Sequence, residues 1–285
     1  MSACPPDARR ERHAAAPPER GYAGLTDTHC HLQAAAFDGD RKAVIERARA
    51  AGITRMLVPG TDLESSAQAV RLAAEVEEVR AAVGVHPHAA KTWNSHAERM
   101  LRELAGQAGV VAIGEIGLDY YRMHSPRDAQ REAFRTQLEL AGDLQLPVIV
   151  HIREALEDTL ETLSDWSAAA RGELRRGILH AFGGEAATAA WATARGWCLG
   201  IGGVITYTAS APLREMVQDE ALMGSIVLET DAPYLPPEGW RGRRNEPALV
   251  ARVAERLAAA SGMDIGRVIE LTRSTAQSLL RWEPA

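Results

Sequence analysis

The sequence predicts a single α/β domain of the (β/α)8, or TIM-barrel, class. Eight short apolar runs rich in Val and Ile recur along the chain, and stretches with apolar residues at helical spacing separate them. The runs begin roughly every 21–37 residues, as repeated βα units should. They are apolar on both faces, which is typical of buried parallel strands. An open, doubly wound sheet is the alternative architecture.

In chain order, the predicted strands occupy 24–29, 55–60, 81–86, 110–117, 147–152, 177–182, 198–203 and 225–230. Helices are predicted between them, for example at 40–52 and 125–145, where Ser125 suits the N-cap and Pro126 the first turn. The stretch 263–282 predicts one or two extra C-terminal helices. The barrel domain is expected at 23–285, after a polar, Pro- and Arg-rich segment, 1–22, that is expected to be a disordered extension.

Composition narrows the function classes. The 285 residues are 46% hydrophobic, which is enough for one substantial core. The net charge of −6 argues against broad, charge-driven nucleic-acid binding, although a local basic patch is compatible with it. The three cysteines, Cys4, Cys30 and Cys198, have no CxxC spacing, so neither a disulfide framework nor a zinc ribbon is expected. No run approaches the ~20 apolar residues that span a bilayer, and 1–22 lack the apolar core of a signal peptide. A cytoplasmic location is therefore predicted.

Polar side chains that can bind metal fall repeatedly where predicted strands end. They are Asp27, His29, His31, His86, Glu115, His151, His180 and Asp231. In a barrel of this class the strand ends meet at one rim. So many buried polar and charged groups are too costly without compensation, and divalent cations would supply it. The sequence therefore predicts a metal centre.

The segment TDTHCH has its own geometry. Residues two apart on a strand point to the same side, so His29 and His31 can reach one ion together. Asp27 is in phase with them and is expected to lie beneath the histidines, where its carboxylate would fix an imidazole tautomer. Cys30 is expected to point into the core.

Residues near the predicted rim have two interpretations each. Trp240, Arg241, Arg243 and Arg244 form a basic cluster after the eighth strand. They would bind phosphates and stack a base, or they form a solvated loop. Tyr120 and Tyr121 would stack bases or pack beneath their loop, which Asp119 is expected to brace. Gly200, Gly202 and Gly203 are expected to mark close packing of the seventh strand.

These stretches give the chain a resemblance to the TatD family of metal-dependent deoxyribonucleases, a branch of the amidohydrolase-like barrels. The matching segments span about 24–280 and are TDTHCHL, GVHPH, AIGEIGLDYY, SPRDAQREAF, LPVIVH, ILHAFGG, LETDAPYL and RGRRNEP. Many two-metal barrel hydrolases bridge their ions with a carbamylated lysine after the fourth strand. Neither Lys42 nor Lys91 lies near a strand end, and Glu115 takes that place.

The resemblance implies a site of two divalent ions, usually Mg²⁺ or Mn²⁺, with Zn²⁺ as a further option. One ion would be held by His29, His31, Glu115 and Asp231, and the second by Glu115, His151 and His180. Asp231 would also orient or deprotonate the attacking water, and His86 would lie near the substrate phosphate. The implied activity is hydrolysis of phosphodiester bonds, mainly 3′-to-5′ exonucleolytic cleavage of single-stranded DNA, with RNA as another substrate. Neither a membrane nor an obligate protein partner is expected.

Three positions depart from the family pattern: Ile152, Thr208 and Trp240. They bear on the substrate and keep an alternative open, a barrel hydrolase of another ester or amide, similar to a D-aminoacyl-tRNA deacylase or a lactonase. A second alternative is a non-catalytic scaffold with a vestigial metal site. The complete set of expected ligands argues against it.

Overall fold

A computed structural model describes residues 21–169 and 175–282 of the protein. In these ranges eight parallel strands form one sheet with the sequential order β1 to β8, and helices follow them. Of the predicted extension, 1–22, only Gly21 and Tyr22 are described; the rest lies outside the described residues. Tyr22 already contacts the barrel, because its backbone N–H donates to Ala51 O at 2.9 Å.

Each predicted strand overlaps one in the structure. The strands are β1 Leu25–Asp27, β2 Ile53–Pro59, β3 Val79–Val83, β4 Val110–Asp119, β5 Val148–Arg153, β6 Gly177–Leu179, β7 Cys198–Ile201 and β8 Ile226–Leu228. The seam between β8 and β1 is joined by Thr28 N to Leu228 O at 2.8 Å and by Asp231 N to His29 O at 2.8 Å. The barrel prediction is confirmed, and the open doubly wound sheet is wrong because the strand order never reverses.

Helices cover the outside of the barrel and one end of it. The α-helices are α1 Arg41–Ala50, α2 Leu63–Glu75, α3 Ser95–Ala105, α4 Arg127–Leu144, α5 Leu156–Ala168, α6 Ala186–Arg195, α7 Ala211–Met216, α8 Glu220–Met223, α9 Val250–Ser261 and α10 Ile265–Leu280. The prediction of extra C-terminal helices is confirmed, and the predicted stretch, 263–282, contains one of them, α10. The expected cap of α4 is wrong: Pro126 occupies the N-cap position, while the Ser125 hydroxyl donates to His88 O at 2.9 Å.

Two apolar layers hold the barrel. The inner one includes Ile149 of β5 and Cys198 of β7, and it is closed by Leu279 of α10 and by Trp282, two residues beyond that helix. The larger outer layer lies between the strands and the helices and includes Cys30. Cys30 and Cys198 are therefore core residues, and the prediction made for Cys30 is confirmed. None of the helices within 21–169 and 175–282 has the length and hydropathy needed to cross a bilayer.

Candidate metal centre

The predicted ligands converge at the carboxyl end of the barrel. His29 and His31 follow β1, His180 follows β6, and Asp231 lies three residues beyond β8. Glu115 differs from expectation, because β4 continues for four more residues to Asp119. Glu115 therefore lies within β4, and an irregularity in the pairing of β4 with β5 lies beside it.

Glu115 sits on a bulge of β4. Ile113 pairs with Val148 and Ile116 pairs with Val150, so β4 carries one extra residue between these pairs. A bulge of this kind redirects the side chain beside it. Gly114 allows the close approach of β5, because a Cβ there would lie 2.6 Å from the Ile149 Cβ. The local sequence IGEIG thus places a carboxylate inside the barrel mouth.

The Glu115 carboxylate is the centre of the cluster. Five imidazole nitrogens lie within 3.9 Å of its oxygens: His151 Nδ1 at 3.0 Å, His29 Nε2 at 3.4 Å, His86 Nε2 at 3.5 Å, His31 Nε2 at 3.6 Å and His180 Nε2 at 3.9 Å. Burial raises the pKa of Glu115, but the surrounding imidazoles outweigh it and hold the pKa well below the usual range. Glu115 is therefore an ionised, buried carboxylate.

Asp231 completes the cluster from the β8 side. Its Oδ1 lies 3.5 Å from His31 Nε2 and 3.9 Å from His29 Nε2. Its backbone has φ of 57°, in the left-handed region that residues with a Cβ rarely adopt. Strained backbone of this kind concentrates at functional sites.

The donor set fits divalent cations. His29 Nε2 and His31 Nε2 lie only 3.2 Å apart and both face the carboxylates. Among the described residues, histidines are the only ion-pair partners of Glu115 and Asp231, with no lysine or arginine within 4 Å. The positive charge beside these buried carboxylates is that of protonated imidazoles: burial lowers the pKa of His180, but the neighbouring carboxylates outweigh it and raise the pKa to about 10. A divalent cation would take the place of these ring protons. Three overlapping groups have metal-binding geometry: His29, His180, Asp231; His29, His31, Glu115; and His86, Glu115, His151.

The outer ring nitrogens of three histidines face acceptors. His31 Nδ1 lies 3.2 Å from Pro59 O, His151 Nε2 lies 3.3 Å from Asp119 Oδ2, and His180 Nδ1 lies 3.0 Å from Glu229 Oε1. The contact with Pro59 O places a proton on His31 Nδ1 and leaves the Nε2 lone pair facing the carboxylates. His151 lies between two carboxylates, because its Nδ1 is also 3.0 Å from Glu115 Oε1, and the contact of His180 with Glu229 is an ion pair without hydrogen-bond geometry. A cation bound at Glu115 would take the place of the ring protons that face it.

His86 has the opposite arrangement. Its Nδ1 accepts the backbone N–H of His88 at 3.1 Å, so the proton of a neutral ring lies on Nε2, the nitrogen that faces Glu115. Burial lowers the pKa of His86 to about 4, so the ring is neutral near pH 7. Although His86 belongs to one of the three groups with metal-binding geometry, its tautomer makes it a hydrogen-bond donor.

The role expected for Asp27 is wrong. Its carboxylate accepts from His29 N at 3.2 Å, from Thr230 N at 3.0 Å and from Thr230 Oγ1 at 2.6 Å, and so binds the end of β1 to the residues after β8. The ring atom it was expected to hold, His29 Nδ1, is buried and has no hydrogen-bond partner among the described residues. Burial raises the pKa of Asp27 to about 8.

Sequence reasoning missed two carboxylates that position ligands. Glu229 is buried, contacts His180 and accepts the N–H of Ala181 at 2.7 Å; its place two residues before Asp231 was an available signal. Asp119 was expected only to brace its loop. It does so by accepting the N–H groups of Tyr121 and Arg122 at 3.0 and 2.7 Å, and it also reaches His151.

Two further histidines lie at the rim, His88 on the segment after β3 and His124 on the loop after β4. His88 Nε2 lies 2.7 Å from Asp119 Oδ2, and the His124 ring lies 4.7 Å from that of His88. His124 is not among the residues predicted at strand ends, because it lies five residues beyond the end of β4. The contact depends on the fold of the loop, which sequence spacing does not show.

The residues expected to bind substrate lie in varied surroundings. Arg244 forms a two-bond ion pair with Asp40, both at 2.7 Å, and Trp240 is half-buried with the Arg252 guanidinium 5.3 Å from its ring centre. Arg241 is exposed, with its guanidinium 5.0 Å from the Tyr207 ring, and Arg243 is exposed without an ion-pair partner among the described residues. The substrate roles of all four remain predictions.

Tyr120 and Tyr121 have different environments. The Tyr120 hydroxyl donates to Asp158 Oδ2 at 2.6 Å, and Arg127 lies 4.2 Å from its ring centre, so Tyr120 packs beneath the loop. Tyr121 is exposed, but Arg153 lies 4.2 Å from its ring centre.

The fold and the donor set define a class, metal-dependent hydrolases built on a (β/α)8 barrel. Within that class the chain belongs to the TatD-related DNase family, whose family model matches residues 26–281. It is 38% identical over 257 residues to the uncharacterized metal-dependent hydrolase YabD of Bacillus subtilis, covering 90% of this chain and 99% of YabD. It is 40% identical over 249 residues to the 3′-5′ ssDNA/RNA exonuclease TatD of Cronobacter sakazakii, covering 84% of this chain and 91% of that protein.

Solved structures agree with the family assignment. The TatD homologue YJJV of Escherichia coli superimposes with a TM-score of 0.85 at 29% identity, covering 92% of this chain and 99% of YJJV. A TatD-family hydrolase of Entamoeba histolytica superimposes with a TM-score of 0.81 at 20% identity, which supports the fold. The protein is therefore a hydrolytic enzyme acting on ester bonds.

Proposed function

We propose that the protein is a 3′-to-5′ exonuclease of single-stranded DNA or RNA that uses two divalent cations. The observation that carries the proposal is the convergence of five imidazoles on one buried carboxylate: each has a ring nitrogen within 3.9 Å of Glu115, and among the described residues no lysine or arginine lies within 4 Å of it. Relatives named as single-strand exonucleases support the substrate and the direction. The cytoplasmic location is proposed with it.

His29, His31, Glu115 and Asp231 would hold one ion, and Glu115, His151 and His180 would hold the other. Mg²⁺ and Mn²⁺ suit the carboxylates, and the imidazoles also allow Zn²⁺. When bound, such ions lower the pKa of a water molecule and stabilise negative charge on a phosphate.

The chain's own groups supply positioning and proton transfer. Asp231 accepts a proton from the attacking water, because its carboxylate lies at the edge of the cluster beside His31. His86 donates its Nε2–H to a phosphate oxygen as negative charge develops there. Arg241 and Arg243 bind neighbouring phosphates of the strand.

The test is cleavage of single-stranded oligonucleotides labelled at the 3′ or the 5′ end, with Mg²⁺, with Mn²⁺ and with EDTA. We expect metal-dependent shortening from the 3′ end, and isothermal titration with Mn²⁺ should give two sites. Glu115→Gln should abolish cleavage and reduce the number of bound ions. Absence of shortening with either metal would refute the nuclease proposal, and full activity of Glu115→Gln would refute the bridging role.

One of the three sequence departures, Ile152, no longer favours the alternative of another ester or amide substrate. Ile152 alternates with His151 on β5 and packs against the outer apolar layer, so a polar residue there would not face the metal centre. Thr208 is exposed, on the loop between β7 and α7.

A further inference from the structure

Exposed apolar side chains mark the rim of the barrel. In the described part of the chain, four large hydrophobic side chains are exposed: Tyr121, Met123, Tyr234 and Leu235. All four lie on the loops that follow β4 and β8, the strands that carry Glu115 and lead to Asp231. Exposed apolar groups gathered at a catalytic face mark a binding surface for ligand.

Tyr234 is the most exposed of the four, at 58%. Its ring centre lies 6.0 Å from that of His31, so it borders the metal centre directly. Its backbone is fixed, because Tyr234 N donates to Asp231 O at 2.7 Å and the buried Asn245 side chain donates to Tyr234 O at 2.6 Å. Unlike Tyr121, it has no guanidinium over its ring among the described residues.

Tyr234 is also one wall of a groove of about 720 Å³. The groove lies between the loop after β1 and the loop after β8, and its lining residues are Ala36, Gly39, Asp40, Pro233, Tyr234, Gly242, Arg243 and Arg244. Asp40 neutralises Arg244 through their two-bond pair. Arg243 is therefore the uncompensated cation of the groove within the described residues.

An aromatic face beside the metal centre, followed by a free guanidinium, matches the alternation of base and phosphate along a single strand. We propose that this groove is a nucleotide subsite, in which Tyr234 stacks on the base next to the scissile phosphate and Arg243 pairs with the following phosphate. The subsite rests on the proposed nuclease function. It also favours single strands, because the bases of a duplex are already stacked and cannot cover Tyr234.

The first test compares Tyr234→Ala, Tyr234→Phe and the unchanged protein on a single-stranded oligonucleotide. The loss of one stacked base should raise KM roughly 5- to 150-fold in Tyr234→Ala, with a smaller change in kcat. Tyr234→Phe should stay within about twofold of the unchanged protein, since the ring does the stacking. An equal defect in both variants would overturn stacking and assign the effect to the hydroxyl.

An oligonucleotide with abasic sites at its 3′ end makes the assignment specific. The unchanged protein should show a raised KM on this substrate, and Tyr234→Ala should add little to it, because the base that Tyr234 contacts is gone. Anisotropy of a fluorescein-labelled oligonucleotide bound in an Asp231→Asn background gives the same comparison without turnover. Additive losses from the two changes would overturn the proposed contact.

Arg243→Gln tests the phosphate contact. The slope of log affinity against log salt should fall by about 0.7, the value for one phosphate of a single strand. Arg99→Gln is the control, since it changes the net charge equally at an exposed position on α3, outside the groove. An equal fall in both variants would overturn the contact. If the unchanged protein and Tyr234→Ala cleave the oligonucleotide equally well, the subsite is refuted and the nuclease function stands. If the unchanged protein cleaves no oligonucleotide, the nuclease function is refuted as well.

Discussion

A single methyl group on β7, which bears none of the proposed ligands, should weaken the metal centre. A Cβ at Gly200 would lie 2.1 Å from Glu229 Oε2, whereas ordinary van der Waals contact begins at 3.4 Å. In Gly200→Ala the Glu229 carboxylate must therefore move by about 1.3 Å, the difference between the two distances. Its contact with His180 Nδ1 is 3.0 Å, so a shift of this size breaks it.

The expected cost has two parts. Loss of the carboxylate that orients a metal-binding histidine typically weakens metal affinity 10- to 100-fold, or about 1.4–2.7 kcal/mol. Overpacking itself lowers the free energy of unfolding of the metal-free protein by roughly 1–3 kcal/mol. The two effects are measured separately, since the first concerns only the metal-bound state.

The assay is titration of the metal-free protein with Mn²⁺ by calorimetry, with denaturant unfolding in EDTA alongside it. Gly224→Ala is the matched control, because a Cβ there would meet nothing closer than Ala221 O at 3.9 Å and Gly224 has no positive φ. Metal affinity of Gly200→Ala equal to that of the unchanged protein would refute the link from Gly200 through Glu229 to His180.

Three further predictions test other parts of the molecule. His86→Ala should bind Mn²⁺ within about twofold of the unchanged protein but lower kcat roughly 10²–10³-fold, because it removes a donor and no ligand; a marked loss of Mn²⁺ affinity would make His86 a ligand. Asp119→Asn should weaken Mn²⁺ binding about 10- to 100-fold, because the new NH2 group must face either the histidine rings or the backbone N–H groups of the loop. Asp158→Asn is the control and should leave Mn²⁺ binding unchanged. Equal Mn²⁺ affinities of the two variants would exclude the positioning role of Asp119. Leu279→Ala should cost about 2–5 kcal/mol of unfolding free energy in denaturant titration with metal affinity unchanged, since α10 closes the end of the barrel away from the site; a cost under 1 kcal/mol would contradict this packing.

Local pattern was enough to predict the strands. A buried parallel strand is apolar on both faces, so each of the eight runs stood out from its flanking helix, and the barrel followed from their number and spacing. Side-chain alternation likewise placed Cys30 in the core. The same rule does not reach beyond regular structure: the bulge at Gly114 and Glu115 and the loop that brings His124 to His88 depend on pairing with other segments.

The sequence by itself determined which residues could bind metal and on which strands they lie, because strand ends and parallel order bring them to one rim. Only the tertiary structure decided which nitrogen of each imidazole faces the site. That choice depends on atoms distant in the chain, such as Pro59 O for His31 and Glu229 for His180. The tertiary structure likewise decided the role of Asp27, whose carboxylate contacts Thr230 after β8. This contact forms only once β8 closes on β1.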